Sequence, residues 1–137
     1  MSNQFSGQQF HQNLTHFLRA NVVFGDNGNA VSLGYVPAGA VVIRGGAAVT
    51  TAFNAGTSNV LDIGFRNAVD GTADDTDEFA TDLALGTAGV IVADEMATAA
   101  NVQFPSGAEI VATPALAGTA ATAGSAEVWV EYLVDNT

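Results

Sequence analysis

The amino-acid sequence predicts an all-β chain: an antiparallel β-sandwich of jelly-roll type with an extended N-terminal arm. Short runs of Val, Ile, Phe and Thr recur along the 137 residues, separated by turns containing Gly, Asn, Asp and Pro. About eight such runs occur at a spacing of roughly a dozen residues, the rhythm of sandwiches and barrels. Two stretches have helical propensity, Asp94 to Ala100 and Ala115 to Ala126. Both are too short or too rich in Gly and Thr to hold a helix, and they read as loops. No internal repeat of fixed period is evident.

Residues 1–14 set Phe5, Phe10 and Leu14 among Asn, Gln, Ser and Gly, a composition that builds no core element. They read as an arm ahead of a single sandwich domain, residues 15–137. Alternation begins at Thr15 and runs to Phe24, with Leu18, Ala20, Val22 and Phe24 on the face to be buried and Phe17, Arg19, Asn21 and Val23 on the other. The segment Gly25-Asp26-Asn27-Gly28-Asn29 has hairpin chemistry, which makes Ala30 to Val36 the expected partner of the first strand. Pro37-Ala38-Gly39 turns the chain into the long run Ala40 to Phe53. Within that run, Gly45-Gly46 marks a bulge or bend where a strand crosses between sheets. A break at Asn54-Ala55-Gly56-Thr57-Ser58 precedes the cleanest alternation, Val60 to Phe65, in which Leu61, Ile63 and Phe65 point one way. Arg66 to Glu78 is a hydrophilic loop, longer than an ordinary connection. Strands follow at Phe79 to Leu85, Gly89 to Ala93, Glu109 to Thr113 and Ala126 to Val134. In the last, Ala126, Val128, Val130, Tyr132 and Val134 form an apolar face opposite Glu127, Trp129, Glu131 and Leu133.

Charge narrows the range of partners. Fourteen acidic residues face only Arg19, Arg44 and Arg66, lysine is absent, and the net charge is −11. Nucleic acid is not an expected partner, because its binding draws on many Lys and Arg contacts to phosphate. An anionic membrane would repel such a surface, and no apolar run approaches the ~18 residues needed to span a bilayer. The first residues lack the basic-then-apolar pattern of a signal peptide, so a soluble protein is expected. The acidity itself is sufficiently explained as a means of keeping an alanine-rich chain in solution. Absence of cysteine removes disulfides, thiolate nucleophiles and cysteine-ligated zinc.

No catalytic constellation and no cofactor are expected. His11 and His16 are the only histidines, and their five-residue spacing suits neither a helical nor a strand pair of metal ligands. No serine has a base expected within reach. The acidic segment Asp70 to Glu78 offers Asp70, Asp74, Asp75 and Asp77 as calcium candidates, since carboxylate oxygens are the ligands calcium takes. It departs from the EF-hand pattern, with glycine second rather than sixth, and a solvated, self-repelling loop is the preferred reading. Trp129 shares its strand face with Glu127 and Glu131, so it needs a cover. A loop of its own chain is favoured over a partner for that cover. Phe5, Phe10, Leu14 and Phe17 pose the same question, and these five residues are the candidate subunit contacts.

The run Val36-Pro37-Ala38-Gly39-Ala40-Val41-Val42, then Val49-Thr50-Thr51-Ala52-Phe53-Asn54-Ala55-Gly56-Thr57-Ser58 and Val60-Leu61-Asp62-Ile63-Gly64, resembles the capsid decoration, or cement, proteins of tailed bacteriophages. The resemblance covers about a third of the chain and consists of strand and turn residues, so similar patterns also occur in other phage head and tail proteins. It implies a non-enzymatic virion protein, made in the host cytoplasm, that sits on the outer capsid surface as a homo-oligomer, a trimer ahead of a dimer. Such a protein bridges subunits of the major capsid protein, and the five contact candidates would then meet a sibling subunit or the capsid. The alternative is a carbohydrate- or receptor-binding β-sandwich module of a phage head or tail, which predicts Trp129 or Tyr35 exposed in a groove. A hydrolase on a jelly-roll scaffold lacks its nucleophile and base.

Overall fold

Alternating side chains require each strand to bury one face, and the chain meets that requirement with two antiparallel sheets packed against each other. The computed structural model describes residues 15–134. Its strands are β1 (His16–Val23), β2 (Val31–Val36), β3 (Ala40–Thr51), β4 (Ser58–Arg66), β5 (Asp75–Ala84), β6 (Gly89–Val92), β7 (Gln103–Phe104), β8 (Ala108–Ala117) and β9 (Ser125–Val134). The first sheet has the order β1-β9-β3-β6, with β7 pairing the start of β3. The second has the order β2-β8-β4-β5.

The core lies between them. Leu61, Ile63 and Phe65 of β4 are fully buried, and so are Ile110 of β8, Val22 of β1 and Val128 of β9. Three phenylalanines from different parts of the chain meet at one end: Phe65 and Phe104 pack edge to face at 5.1 Å, and Phe79 meets Phe104 at 6.4 Å. Such pairs add directional attraction to the burial of their area.

Several expectations are corrected by the topology. The first strand does not form a hairpin with the second. Instead β1 pairs with β9 from His16↔Tyr132 to Val23↔Ser125, and β2 pairs with β8. The Gly25 to Asn29 segment acts as a corner between sheets. The Asp26 carboxylate accepts the Val23 N–H at 2.9 Å, the Asn27 side chain bonds both the N–H and the carbonyl of Leu116, and Gly28 N–H donates to Pro114. Phe24 therefore sits in a short 3-10 turn and is 39% exposed rather than buried. The Gly45-Gly46 pair does not carry β3 from one sheet to the other. It stays in the first sheet, and the register shifts fall beside it, between Val42 and Arg44 and between Val49 and Thr51.

Part of the expected long loop is strand. β5 begins at Asp75, and its first residues cross directly over β4, where an added Cβ on Gly64 would lie 2.2 Å from the Asp75 carbonyl oxygen. The β4–β5 register jumps from Ile63↔Ala80 to Phe65↔Asp75 to accommodate that crossing. β8 runs on to Ala117, into the stretch expected to be loop, and Asp94 to Ala100 forms no helix.

Candidate interaction surface

The outer faces of the two sheets differ in chemistry. On the first sheet, register places Arg19, Trp129, Gly46 and Val92 in one row across β1, β9, β3 and β6, and Asn21, Glu127, Ala48 and Val90 in the next. Phe17 heads a third row with Glu131 and Arg44. Gly46 is the feature that shapes this face. A Cβ there would meet the Ile91 carbonyl oxygen at 2.3 Å and the Trp129 ring at 2.8 Å, so only glycine lets the indole lie down on β3. Trp129 is half-buried as a result, its ring packed against the backbone of β3.

Beside the indole lies an open groove of about 530 Å3, lined by Phe17, Arg19, Ala48, Val90, Glu127 and Trp129. Phe17 is 61% exposed, Val90 70% and Val92 62%, which makes this a contiguous apolar face on an otherwise acidic chain. Its charged side chains stand opposite carboxylates of β9: Arg19 faces Glu127 at 4.0 Å across solvent-exposed side chains, and Arg44, in the next row, pairs with Glu131. His16 stacks on Tyr132 at 5.4 Å and is not directed at any second histidine among the described residues.

The second sheet presents an ionic network around Glu109 on β8, whose side chain is almost completely buried. It accepts hydrogen bonds from Arg66 Nε at 2.8 Å, Asn67 Nδ2 at 3.0 Å and Arg66 Nη2 at 3.3 Å. The Arg66 guanidinium, with help from Ser32 and Asn67, pulls the Glu109 carboxyl down to about 2. Tyr35, exposed on β2, reaches the same carboxylate at 3.5 Å.

The acidic candidates lie beyond this network and do not converge. Asp70 accepts from the N–H and hydroxyl of Thr72, which lowers its carboxyl below the ordinary range. Asp74 caps the Asn67 N–H at 2.8 Å. Asp75 is raised, chiefly by its side-chain hydrogen bond with Asp77. Among the described residues no three His, Asp or Glu side chains gather as a metal would need. Of the five contact candidates the structure brings Phe17 and Trp129 to one groove, while Phe5, Phe10 and Leu14 lie outside the described residues. Sequence reasoning missed Val90 and Val92 as their neighbours, because only the strand order joins β6 to this face.

No protein-family model matches the sequence. No curated protein matches it either. Solved structures do. The chain is similar to one in the capsid of Ralstonia phage GP4, with 16% identity and a TM-score of 0.61 over 90% of this chain and 86% of that one. It is similar at 16% identity and a TM-score of 0.61 to a chain of the acid-stable capsid of Helicobacter pylori bacteriophage KHP30, covering 90% of each. The likeness to a chain in the capsid asymmetric unit of cyanophage Pam1 has 15% identity and a TM-score of 0.65, and spans 98% of this chain and 91% of that one. At such identities what is shared is the fold: this β-sandwich, from end to end, is one that bacteriophage capsids contain.

Proposed function

We propose that this chain is a decoration, or cement, protein that binds the outer surface of a bacteriophage head and stabilises contacts between major capsid subunits. The observation that carries the reading is the near-complete overlap of its fold with chains of three phage capsids. The strand order supports a jelly-roll description, with β1, β9, β3 and β6 facing β2, β8, β4 and β5. The chemistry agrees: the three arginines each face a glutamate, so the packaged genome is a poor partner.

The mechanism is linkage. A protein that binds the assembled lattice and not its dissociated subunits raises the shell's resistance to disruption by the free energy of binding. Self-association, as a trimer ahead of a dimer, would let one small chain engage several capsid subunits at once and multiply weak contacts. Synthesis in the host cytoplasm and attachment to the finished shell follow from that role.

A second reading, a carbohydrate- or receptor-binding module, draws on the groove beside Trp129. Of its lining residues only Arg19, Glu127 and the Trp129 indole carry polar groups, which leaves a sugar little to bond. The deciding experiment adds purified protein to undecorated heads of the parent phage and follows occupancy by cryo-electron microscopy and genome release on heating. Saturable, symmetric occupancy with later release supports the cement role. Unoccupied heads overturn it, and a positive glycan array with unoccupied heads favours the second reading.

A further inference from the structure

We infer that the outer face of the first sheet is a self-association surface, on which a second copy of this chain lays its own first sheet about a twofold axis running along the strands between β9 and β3. It rests on the self-association in the proposed function and names the face and the symmetry behind it.

Charge selects the occupant. The strands of the first sheet carry Arg19, Arg44, Glu127 and Glu131 and no other Asp, Glu, Lys or Arg, so they have no net charge in a chain of net charge −11. β4 and β5 of the second sheet carry Asp62, Asp75, Asp77, Glu78 and Asp82 against Arg66 alone. Two copies therefore repel when they meet through their second sheets and are spared that repulsion when they meet through their first. The same sheet holds the apolar surface. Among the described residues, the exposed large apolar side chains Phe17, Val23, Ile43, Val90 and Val92 belong to its strands, and Tyr35 alone to a strand of the other.

Register supplies the symmetry. A twofold axis along the strands lays β1 on the partner's β6 and β9 on the partner's β3. In the row of Glu131 and Arg44, each arginine then stands over the partner's glutamate, so the ion pair formed within each copy meets its counterpart with opposite charges facing. In the row of Arg19 and Val92, the stem of Arg19 covers the partner's Val92. The Trp129 indole, lying on its own Gly46, meets the partner's indole at the axis. An axis across the strands through the Trp129 row is rejected by charge, because it sets Arg19 against the partner's Arg19 and Glu127 against the partner's Glu131.

Four strands spaced ~4.8 Å apart, and the eight residues of β1 at ~3.3 Å each, give a face of ~19 by ~26 Å, about 500 Å2 from each copy. The total of about 1,000 Å2 lies at the lower limit for a specific pair, so the dimer forms and dissociates with concentration. Opposed sheets close as a pair and build no ring, so this face favours the dimer of the two states that the proposed function names.

Sedimentation equilibrium of the full chain from micromolar to millimolar concentration reads the mass. Phe17→Glu and Val92→Glu, both at exposed positions, read the face, and circular dichroism checks that each variant is folded. The expected result is a monomer–dimer equilibrium that either variant weakens by about tenfold or more, because an ionised carboxylate sealed between the sheets loses its water. Val69→Glu adds the same charge at an exposed position between β4 and β5, and should leave the equilibrium within about twofold. Cross-linking reads the symmetry, since the chain has no cysteine of its own. Sheets packed face to face lie ~10 Å apart, which puts Arg19→Cys of one copy within ~10 Å of Val92→Cys of another, whereas two copies of either variant hold their thiols ~17 Å apart. A bismaleimide of ~10 Å reach should link the mixture and neither variant alone. A monomer at every concentration, a trimer, a dimer indifferent to both Glu substitutions, or self-linking equal to mixed linking each overturns the inference. None of these measurements involves a capsid, so the cement reading stands or falls separately, on the occupancy of heads.

Discussion

Substituting Glu109 by Gln tests whether the second sheet is held by an ionised, paired carboxylate. Its carboxyl titrates at about 2 rather than its ordinary 4.5 because Arg66, Asn67 and Ser32 stabilise the charged form. A gap of that size corresponds to about 3 kcal/mol of stability. The Arg66 side chain is 35% exposed, so solvent screens part of it and about 2–3 kcal/mol is the working figure. The folded-state value lies below the unfolded one, so the contribution is complete above pH 4.5 and is lost as pH falls from 4.5 toward 2. Glu109→Gln keeps the shape and removes the charge, and should cost about 2–3 kcal/mol at pH 7, a fall in Tm of about 8 °C. At pH 3 the two proteins should differ by only about 1 kcal/mol. Protonation of the other carboxylates relieves the net negative charge of both, and subtraction cancels that effect. The assay is denaturant unfolding of each protein at several pH values. A difference that stays constant from pH 7 to pH 3 would refute the pairing.

The remaining predictions concern packing and cations. Phe104→Ala removes the ring that joins Phe65 and Phe79 and should cost about 3–5 kcal/mol, read from the urea midpoint. Gly64→Ala pushes a methyl group into the backbone of Asp75 and Thr76, and should destabilise by about 1–3 kcal/mol, with hydrogen exchange rising first at the start of β5. Arg19→Ala should leave stability within about 0.5 kcal/mol, because its contact with Glu127 is long and exposed; a larger loss in thermal unfolding would show a structural role for that pair. Millimolar calcium or EDTA should move Tm by less than about 1 °C, and a larger rise with calcium would restore the metal reading of Asp70, Asp74, Asp75 and Asp77.

What the sequence made legible follows from where the information lies. β4 and β9 are readable because each separates an apolar from a polar face with period two, and burial of Leu61, Ile63, Phe65, Val128 and Val130 follows that alternation. The partner of β1 was not readable. Gly-Asp-Asn-Gly chemistry is the same in a hairpin and in a corner, and the difference is made by Leu116, far along the chain, bonding Asn27. The first half of β5 hides behind its aspartates, which leave no alternation to detect although the backbone pairs with β4. β7 is two residues long, too short for any periodic signal. At the candidate site, Trp129 and Phe17 were visible as aromatics without a cover, whereas their convergence with Val90 depends on a strand order that brings together residues from both ends and the middle of the chain.

The same strand order sorts the charges. Arg19 and Arg44 lie on the outer face of the first sheet, each against a glutamate of β9. Asp62, Asp70, Asp74, Asp75, Asp77, Glu78 and Asp82 fall on β4, β5 and the segment joining them, where no arginine but Arg66 is near, and Arg66 is held by Glu109. One side of the sandwich is therefore close to neutral and apolar, and the other strongly negative. Two copies approaching by their acidic sides repel, while approach by the first sheet meets no comparable barrier. A molecule built this way is oriented before it touches anything: contact with an apolar surface uses the first sheet, and contact through the second requires a basic partner.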